Sequence, residues 1–260
     1  MESFRHAVRF AEVAMLRSFS IFVCCLTFAL PAFAQTATPQ SPAAKLPPAL
    51  DEYKGREIAQ TMHWEGAPWL TREDRNREED CVRLMRELKL KQGQAVCDMG
   101  CGNGFYTLEL ARRVGPKGLV YAVDIQPEML RMLAEAAGRE GLTNIRPVLG
   151  TAIDPRLPAA AIDLCLCVDV YHEFSHPDAM LARVRESLAD GGRLALVEFR
   201  GEDPAVPIKP LHKMTKAQIR SELQPAGFRV VGEFDRLPWQ HLVFLGAQQP
   251  GERAAGREKP

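Results

Sequence analysis

The sequence predicts an α/β protein built on a doubly wound sheet of seven strands, mostly parallel and ending in an antiparallel hairpin. Three observations predict it. The apolar segment Gln94 to Cys97 runs through Asp98 into a loop with glycine at 100, 102 and 104, and the chain from Phe105 onward then reads as a helix. Glycine tolerates backbone angles that other residues resist and lets a ligand approach the main chain, so a strand, glycine loop and helix in this order mark a nucleotide-type site. Short apolar strands then alternate with helical segments as far as Phe199, as βαβ units do. Two last strands, about Phe228 to Phe234 and Gln240 to Gly246, are joined through Leu237-Pro238-Trp239, short enough for an antiparallel connection.

The elements follow in order. Met62 to Leu70 is dense in aromatic and turn residues and forms an arm suited to a lid. Thr71 with Asp74 resembles a capping box for a helix from Thr71 to Leu90, whose Cys81, Leu84, Met85 and Leu88 recur at helical spacing. Gly115-Pro116 stops the helix after the glycine loop. Leu119 to Val123 is a strand apolar throughout, as a sheet covered on both faces requires, and it ends at Asp124. Pro127 suits the first turn of a helix reaching about Gly138. Ile145 to Leu149 and Ile162 to Val168 are the next strands. Pro177 opens a helix that Gly191-Gly192 ends, and Arg193 to Phe199 is a fifth strand. Thr215 with Gln218 forms a capping box for a helix closed by Gly227.

Around this domain, placed at residues 50–247 with a helical cap over 50–90, the ends have a different composition. From Met15 a basic Arg17, an apolar stretch to Leu30 and Ala32-Phe33-Ala34 before Gln35 have the layout of a secretory signal peptide spanning residues 1–34, with Met15 itself a candidate start. The expectation is cleavage after Ala34 and a periplasmic or secreted protein; the alternative is a retained membrane anchor, for which Ile21 to Leu30 is short. Residues 35–49 read as a flexible linker and 248–260 as a disordered tail. With 33 basic and 33 acidic residues the chain carries no net charge, which argues against a nucleic-acid partner. Oligomeric state is not legible. Removal of the leader leaves Cys81, Cys97, Cys101, Cys165 and Cys167. None is spaced with histidine as a metal ligand set, so no metal is expected, and all five read as small buried hydrophobes.

Together VCDMGCGNGFYT, VYAVDIQPEML, VLGTAIDPRLP, AIDLCLCVDVYHEF and LADGGRLALVEF resemble, in order and spacing, a class I S-adenosylmethionine-dependent methyltransferase of the type 11 group. The resemblance implies the Rossmann-like methyltransferase fold with strand order 3-2-1-4-5-7-6, and S-adenosylmethionine as cofactor. It places the amino-acid end of that cofactor at Asp98 and the backbone of Gly100, Cys101 and Gly102, with Gly104 completing the loop. Asp124 takes the ribose hydroxyls, Ile125 and Gln126 lie beside the adenine, and Asp169 lies under the methionine moiety. Where the family often has an acid this chain has Thr151, so Thr151 or the Ala152 amide meets the adenine edge. A nicotinamide site fits less well, because the glycines run G-x-G-x-G rather than G-x-G-x-x-G.

Methyl transfer from a sulfonium is an in-line displacement, and a base is needed only where the acceptor has a proton to lose. Tyr171, His172 and Glu173 follow the fourth strand where family members meet the acceptor, and His172 is the best base because imidazole titrates near neutrality. His212 and His241 are further candidates, and Trp64, Trp69 and Trp239 are candidate walls for an apolar, small-molecule acceptor. The competing expectation is an exported binding module that keeps the fold without transferring a methyl group.

Overall fold

The computed structural model describes residues 46–248. The expected leader, most of the linker and nearly all of the C-terminal tail lie outside the described residues. An antiparallel pair, β1 (Glu52–Tyr53) and β2 (Arg56–Glu57), precedes three short helices, α1 (Ala67–Leu70), α2 (Arg75–Glu79) and α3 (Cys81–Glu87). The main domain follows as β3 (Ala95–Met99), α4 (Phe105–Val114), β4 (Leu119–Asp124), α5 (Pro127–Arg139), β5 (Ile145–Leu149), β6 (Ile162–Val168), α6 (Pro177–Ser187) and β7 (Leu188–Arg200). It is completed by β8 (Lys213–Met214), α7 (Lys216–Leu223), β9 (Phe228–Phe234) and β10 (Gln240–Ala247).

Seven strands lie in the order β5-β4-β3-β6-β7-β10-β9, and β8 adds to β7 beside them. Numbered without β1, β2 and β8, this is the expected order 3-2-1-4-5-7-6. The pairs β3–β4, β4–β5, β3–β6 and β6–β7 are parallel, while β10 runs antiparallel to both of its neighbours.

Strand side chains alternate between two apolar layers, which is why the central strands read as apolar throughout. Cys97, Cys165, Cys167, Leu194 and Leu196 face α6 and α7 residues such as Leu181, Val184, Ile219 and Leu223. Val96, Leu164, Leu166, Ala195 and Val197 face Leu84, Leu88, Leu110 and Val114 of α3 and α4. The five described cysteines are buried free thiols, as their reading as hydrophobes anticipates. Among the described residues no helix is long and apolar enough to cross a membrane.

Two elements differ from expectation. The single helix over Thr71 to Leu90 is replaced by α1, α2 and α3, and the Thr71–Asp74 capping box does not form. The chain breaks at Asp80, which takes a left-handed conformation (φ 50°) and caps α3 by accepting from the Arg83 amide. The bend brings Arg72 and Arg75 together on Glu79. The second difference is β7, which begins at Leu188 rather than Arg193. The amides of Ala160 and Ala161 bond the carbonyls of Glu186 and Ser187, ending α6 early. Gly191 and Gly192 then sit inside the strand at a shift in register, and a Cβ on Gly192 would lie 2.5 Å from the Ile162 carbonyl. The glycine pair makes a bulge instead of a helix stop.

One buried ion pair ties the N-terminal pair of strands to the sheet. Arg56 donates to both oxygens of Glu222 at 2.8 and 3.0 Å and to the His172 carbonyl at 3.0 Å, and the Tyr171 hydroxyl donates to Glu222 at 2.8 Å. Arg56 and Glu222 are 5% and 1% exposed, so removing one partner strands a charge away from water. Arg56→Met is expected to cost about 3–5 kcal/mol of stability, read from the denaturant midpoint; a loss below about 1 kcal/mol would mean that water screens the pair.

Candidate active site

The parallel strands deliver their C-terminal ends to one cavity of about 570 Å³, within the size range of small-molecule and cofactor sites. Asp98 of β3, Asp124 ending β4, and Asp169 just past β6 all line it, with Gly100, Cys101 and Gly102 between the first two. The loop is folded inward on itself. The amides of Gly100 and Cys101 donate to the Val123 carbonyl at 2.8 and 2.9 Å, and the Gly102 amide donates to Asp124 Oδ2 at 2.9 Å. Those three amides are spent, so the loop can offer a ligand carbonyl oxygens, which suit an ammonium group better than a carboxylate. Gly100 has φ 69°, and a Cβ there would lie 2.6 Å from the Val170 methyls, so the close approach requires glycine. Gly104 departs from expectation. It caps α4 with its Cα packed toward Leu133 and does not line the cavity, so its role is to turn the chain into the helix.

The acids share one electrostatic condition. Burial pushes the Asp98 carboxyl up to about 6, and the Thr107 hydroxyl at 2.6 Å only partly offsets this. Burial also raises Asp124, against the pull of the Gln126 and Gly102 amides. Asp169 lies well above the carboxylate range because it is desolvated and faces Glu79 and Glu198. Its Oδ2 accepts from Gln240 Nε2 at 2.7 Å, while its Oδ1 is buried with no partner. Arg75 is the cation beside them. Its Nε holds Glu79 at 2.9 Å and its Nη1 the Leu70 carbonyl at 2.7 Å, which leaves Nη2.

At the other end of the cavity lie His172, Glu173 and His212. His172 Nδ1 is 2.6 Å from Glu198 Oε2, and its Nε2 is 3.1 Å from His212 Nδ1 and 4.0 Å from Glu173 Oε1. Since Glu198 holds the proton on Nδ1, neutral His172 turns the Nε2 lone pair toward its neighbours. Burial disfavours the charged imidazole, but Glu198 outweighs it and the His172 titration moves up. Burial and the nearby His172 move His212 down, and burial pushes Glu173 up to about 7. The short turn Pro210–His212 leads into β8, whose pairing with Phe199 and Arg200 carries His212 next to Glu198.

Several expected residues fall elsewhere. Tyr171 is 1% exposed, bonds Glu222 and does not line the cavity, so it supports the fold instead of meeting an acceptor. His241 is held by Glu202 at 2.7 Å outside the cavity, and Trp64 and Trp239 are also off its wall, whereas Trp69 lines it. Gln126 lines the cavity, yet its amide clamps the arm by donating to the Met62 carbonyl at 2.9 Å and accepting from the Trp64 amide at 2.7 Å. The Thr151 hydroxyl accepts from the Asp154 amide at 3.0 Å, which leaves the Ala152 amide beside it for an adenine edge. Ile125, 44% exposed, forms the open wall. Arg75, Glu79, Glu198 and Gln240 were not expected: the Arg75–Glu79 pair is local and reads as an ordinary helix ion pair, while Glu198 and Gln240 are defined by contacts between segments far apart in sequence.

Residues 90–234 match the family model described as a methyltransferase domain, over more than half of the chain. The chain belongs to this methyltransferase family. It is 37% identical to aklanonic acid methyltransferase DauC of Streptomyces sp. (strain C5) over 120 residues, 44% of this chain and 54% of that protein. It is 30% identical to the ubiquinone/menaquinone biosynthesis C-methyltransferase UbiE of Cupriavidus metallidurans over 156 residues, 58% and 60% of the two chains. The chain thus spans about half the length of the curated relatives it matches. Among solved structures it is similar to a SAM dependent methyltransferase from Aquifex aeolicus, with a TM-score of 0.67 and 26% identity over 71% of this chain and 98% of that one.

The family's cofactor is S-adenosylmethionine, and the cavity fits it chemically. Asp124 would accept the ribose hydroxyls on the lone pairs its two amide donors leave, and Ala152 and Ile125 would flank the adenine. The unpartnered Asp169 Oδ1 and Asp98 suit the ammonium, and Arg75 suits the carboxylate. Asp124→Ala is expected to weaken S-adenosylhomocysteine binding by about tenfold or more in calorimetric titration, and an unchanged affinity would refute the ribose assignment. The pH dependence has a definite sign. An ammonium ligand favours the ionised Asp98, whose carboxyl in the free chain titrates at about 6. Affinity should therefore rise as pH increases from 5 to 7, and Asp98→Asn should flatten the profile; a flat wild-type profile would dismiss the role of Asp98.

Proposed function

We propose that the protein transfers a methyl group from S-adenosylmethionine to a small-molecule acceptor carrying a nucleophilic oxygen. The observation that supports it is one cavity lined both by the three acids with the glycine loop and by His172, Glu173 and His212. The cofactor supplies an electrophilic methyl on a sulfonium. The chain aligns it: Asp124 and Ala152 grip the nucleoside, while Arg75, Asp98 and Asp169 fix the amino-acid end, so that displacement is in line. Met62, Trp69 and Leu70 from the arm, with Phe174, Met180, Phe199 and Ile208, give the remaining wall an apolar character that excludes water and suits an organic acceptor. His172, Glu173 and His212 receive the nucleophile. The names of the relatives, an aklanonic acid methyltransferase and a C-methyltransferase of ubiquinone/menaquinone biosynthesis, support a small organic acceptor, and the oxygen nucleophile is the reading of the histidine-lined wall.

The test supplies methyl-labelled S-adenosylmethionine to the purified protein with a low-molecular-mass cell extract. S-adenosylhomocysteine should form with the label in a small organic product. Label found only in macromolecules would overturn the acceptor class, and cofactor binding without turnover would favour a binding module. We also propose export, on the strength of the leader before Gln35; fractionation should find the shortened chain outside the cytosol, and a full-length cytosolic protein would reject it.

A further inference from the structure

We propose that His172, Glu173 and His212 form a binding site for one divalent first-row transition-metal ion at the acceptor end of the cavity. A ligand atom from each of the three lies within 4.8 Å of the other two, from two segments forty residues apart in sequence. The spacing is that of a coordination sphere. Two nitrogens bound to one metal at about 2.0–2.1 Å stand about 2.8–3.0 Å apart in an octahedral and about 3.3–3.4 Å apart in a tetrahedral arrangement, and the 3.1 Å between His172 Nε2 and His212 Nδ1 falls between the two. The carboxylate 4.0 Å from His172 Nε2 is within a small side-chain rotation of joining them.

An independent feature is the outer partner of His172. Glu198 is fully buried, and its Oε2 bonds Nδ1 at 2.6 Å, which fixes the ring and raises the basicity of Nε2. A buried carboxylate behind a histidine is the arrangement that supports metal-bound imidazole. Its other oxygen has no partner, and Arg56, the nearby cation, is committed to Glu222. Charge points the same way: two carboxylates, Glu173 and Glu198, flank two imidazoles, and a divalent cation would balance both. With the His172 proton on Nδ1, the His212 Nδ1–H donates to His172 Nε2, and a cation bound at His212 Nδ1 would require the other tautomer, its proton moved to Nε2.

Two imidazoles and one carboxylate select zinc, iron(II), cobalt or nickel over magnesium or calcium, which prefer all-oxygen sets. Three protein ligands leave positions open to the cavity, as catalytic sites do and structural sites do not. Resting on the methyl-transfer reading, the ion's role is to hold an acceptor hydroxyl and ease loss of its proton to water. The freed oxygen pair then makes the O–CH₃ bond while the S–CH₃ pair stays on sulfur, turning sulfonium into thioether. His172 is on this account a ligand, and the reaction needs no separate side-chain base.

The experiment takes the full chain, tag-free and stripped with chelator, and titrates it with cobalt(II) by calorimetry and visible absorption. One cobalt per chain with ligand-field bands is expected, displaced by zinc and not by magnesium. His212→Ala, on a partly exposed turn that can lose its imidazole without loss of core, should weaken cobalt binding more than about 100-fold and leave S-adenosylhomocysteine affinity within about twofold. Glu198→Gln should weaken cobalt binding about 10–100-fold as a positioning residue. Absence of cobalt binding, or binding that His212→Ala and Glu173→Gln leave unchanged, would overturn the site. Cobalt bound without S-adenosylhomocysteine binding would uphold the metal site and sink the methyl-transfer reading instead.

Discussion

The common direction of β3, β4 and β6 is the constraint on which the site depends. It puts Asp98, Asp124 and Asp169 at one end of the sheet, and the hydrogen-bond ladders prevent the acids from moving apart. All three titrate above their ordinary range because burial disfavours charge. In the folded chain they therefore bind protons that the unfolded chain has released, and folding becomes less favourable as pH rises from the ordinary carboxylate range toward about 6 for Asp98. A ligand with an ammonium and a sulfonium relieves that cost. Three acids that burial keeps short of water are thus matched to a cationic nucleoside, which supports the same cofactor as the glycine loop does.

What was legible in the sequence is what depends on neighbours in sequence. β5, β6 and β9 begin and end at the expected residues: β6 is a largely apolar run inside the sheet, and β5 and β9 are edge strands that mix apolar and polar residues. The Thr215–Gln218 capping box forms because both partners lie within one turn. The helix over Thr71 to Leu90 is the exception among local features. Its apolar spacing is helical, yet Asp80 takes a left-handed conformation and caps α3 through the Arg83 amide, so a break that spacing alone does not reveal separates α2 from α3. Gly191-Gly192 read as a helix stop because nothing local reveals the Ile162 carbonyl that presses on it.

The same division runs through the site. That Asp98, Gly100, Gly102 and Asp124 line one cavity was legible because their spacing is fixed by one βαβ unit, whereas Gly104, in the same loop, only turns the chain into α4. Gln240 was not: it lies on the last strand, and only the placement of β10 beside β7 brings its amide to Asp169 Oδ2. Tyr171 was misassigned because a residue adjacent to His172 in sequence points the other way in a tight turn. It goes to Glu222, while the His172 and Glu173 side chains go to the cavity.

These long-range contacts bind the two ends of the cavity into one device. Gln126, two residues past Asp124, grips the arm at Met62 and Trp64, and Ala59, three residues before the arm, donates its amide to the His172 carbonyl at 3.1 Å. Arg56 meets that same carbonyl and anchors it to Glu222. The arm is therefore fastened at the nucleoside end by a neutral amide and at the histidine end by backbone and a buried ion pair. The Met62 amide also donates to Glu173 Oε1 at 3.4 Å, so the single stretch from Arg56 to Trp64 touches Gln126, Glu173 and the His172 carbonyl, and it fixes these three against one another although Gln126 lies in a different part of the chain from the His172–Glu173 turn.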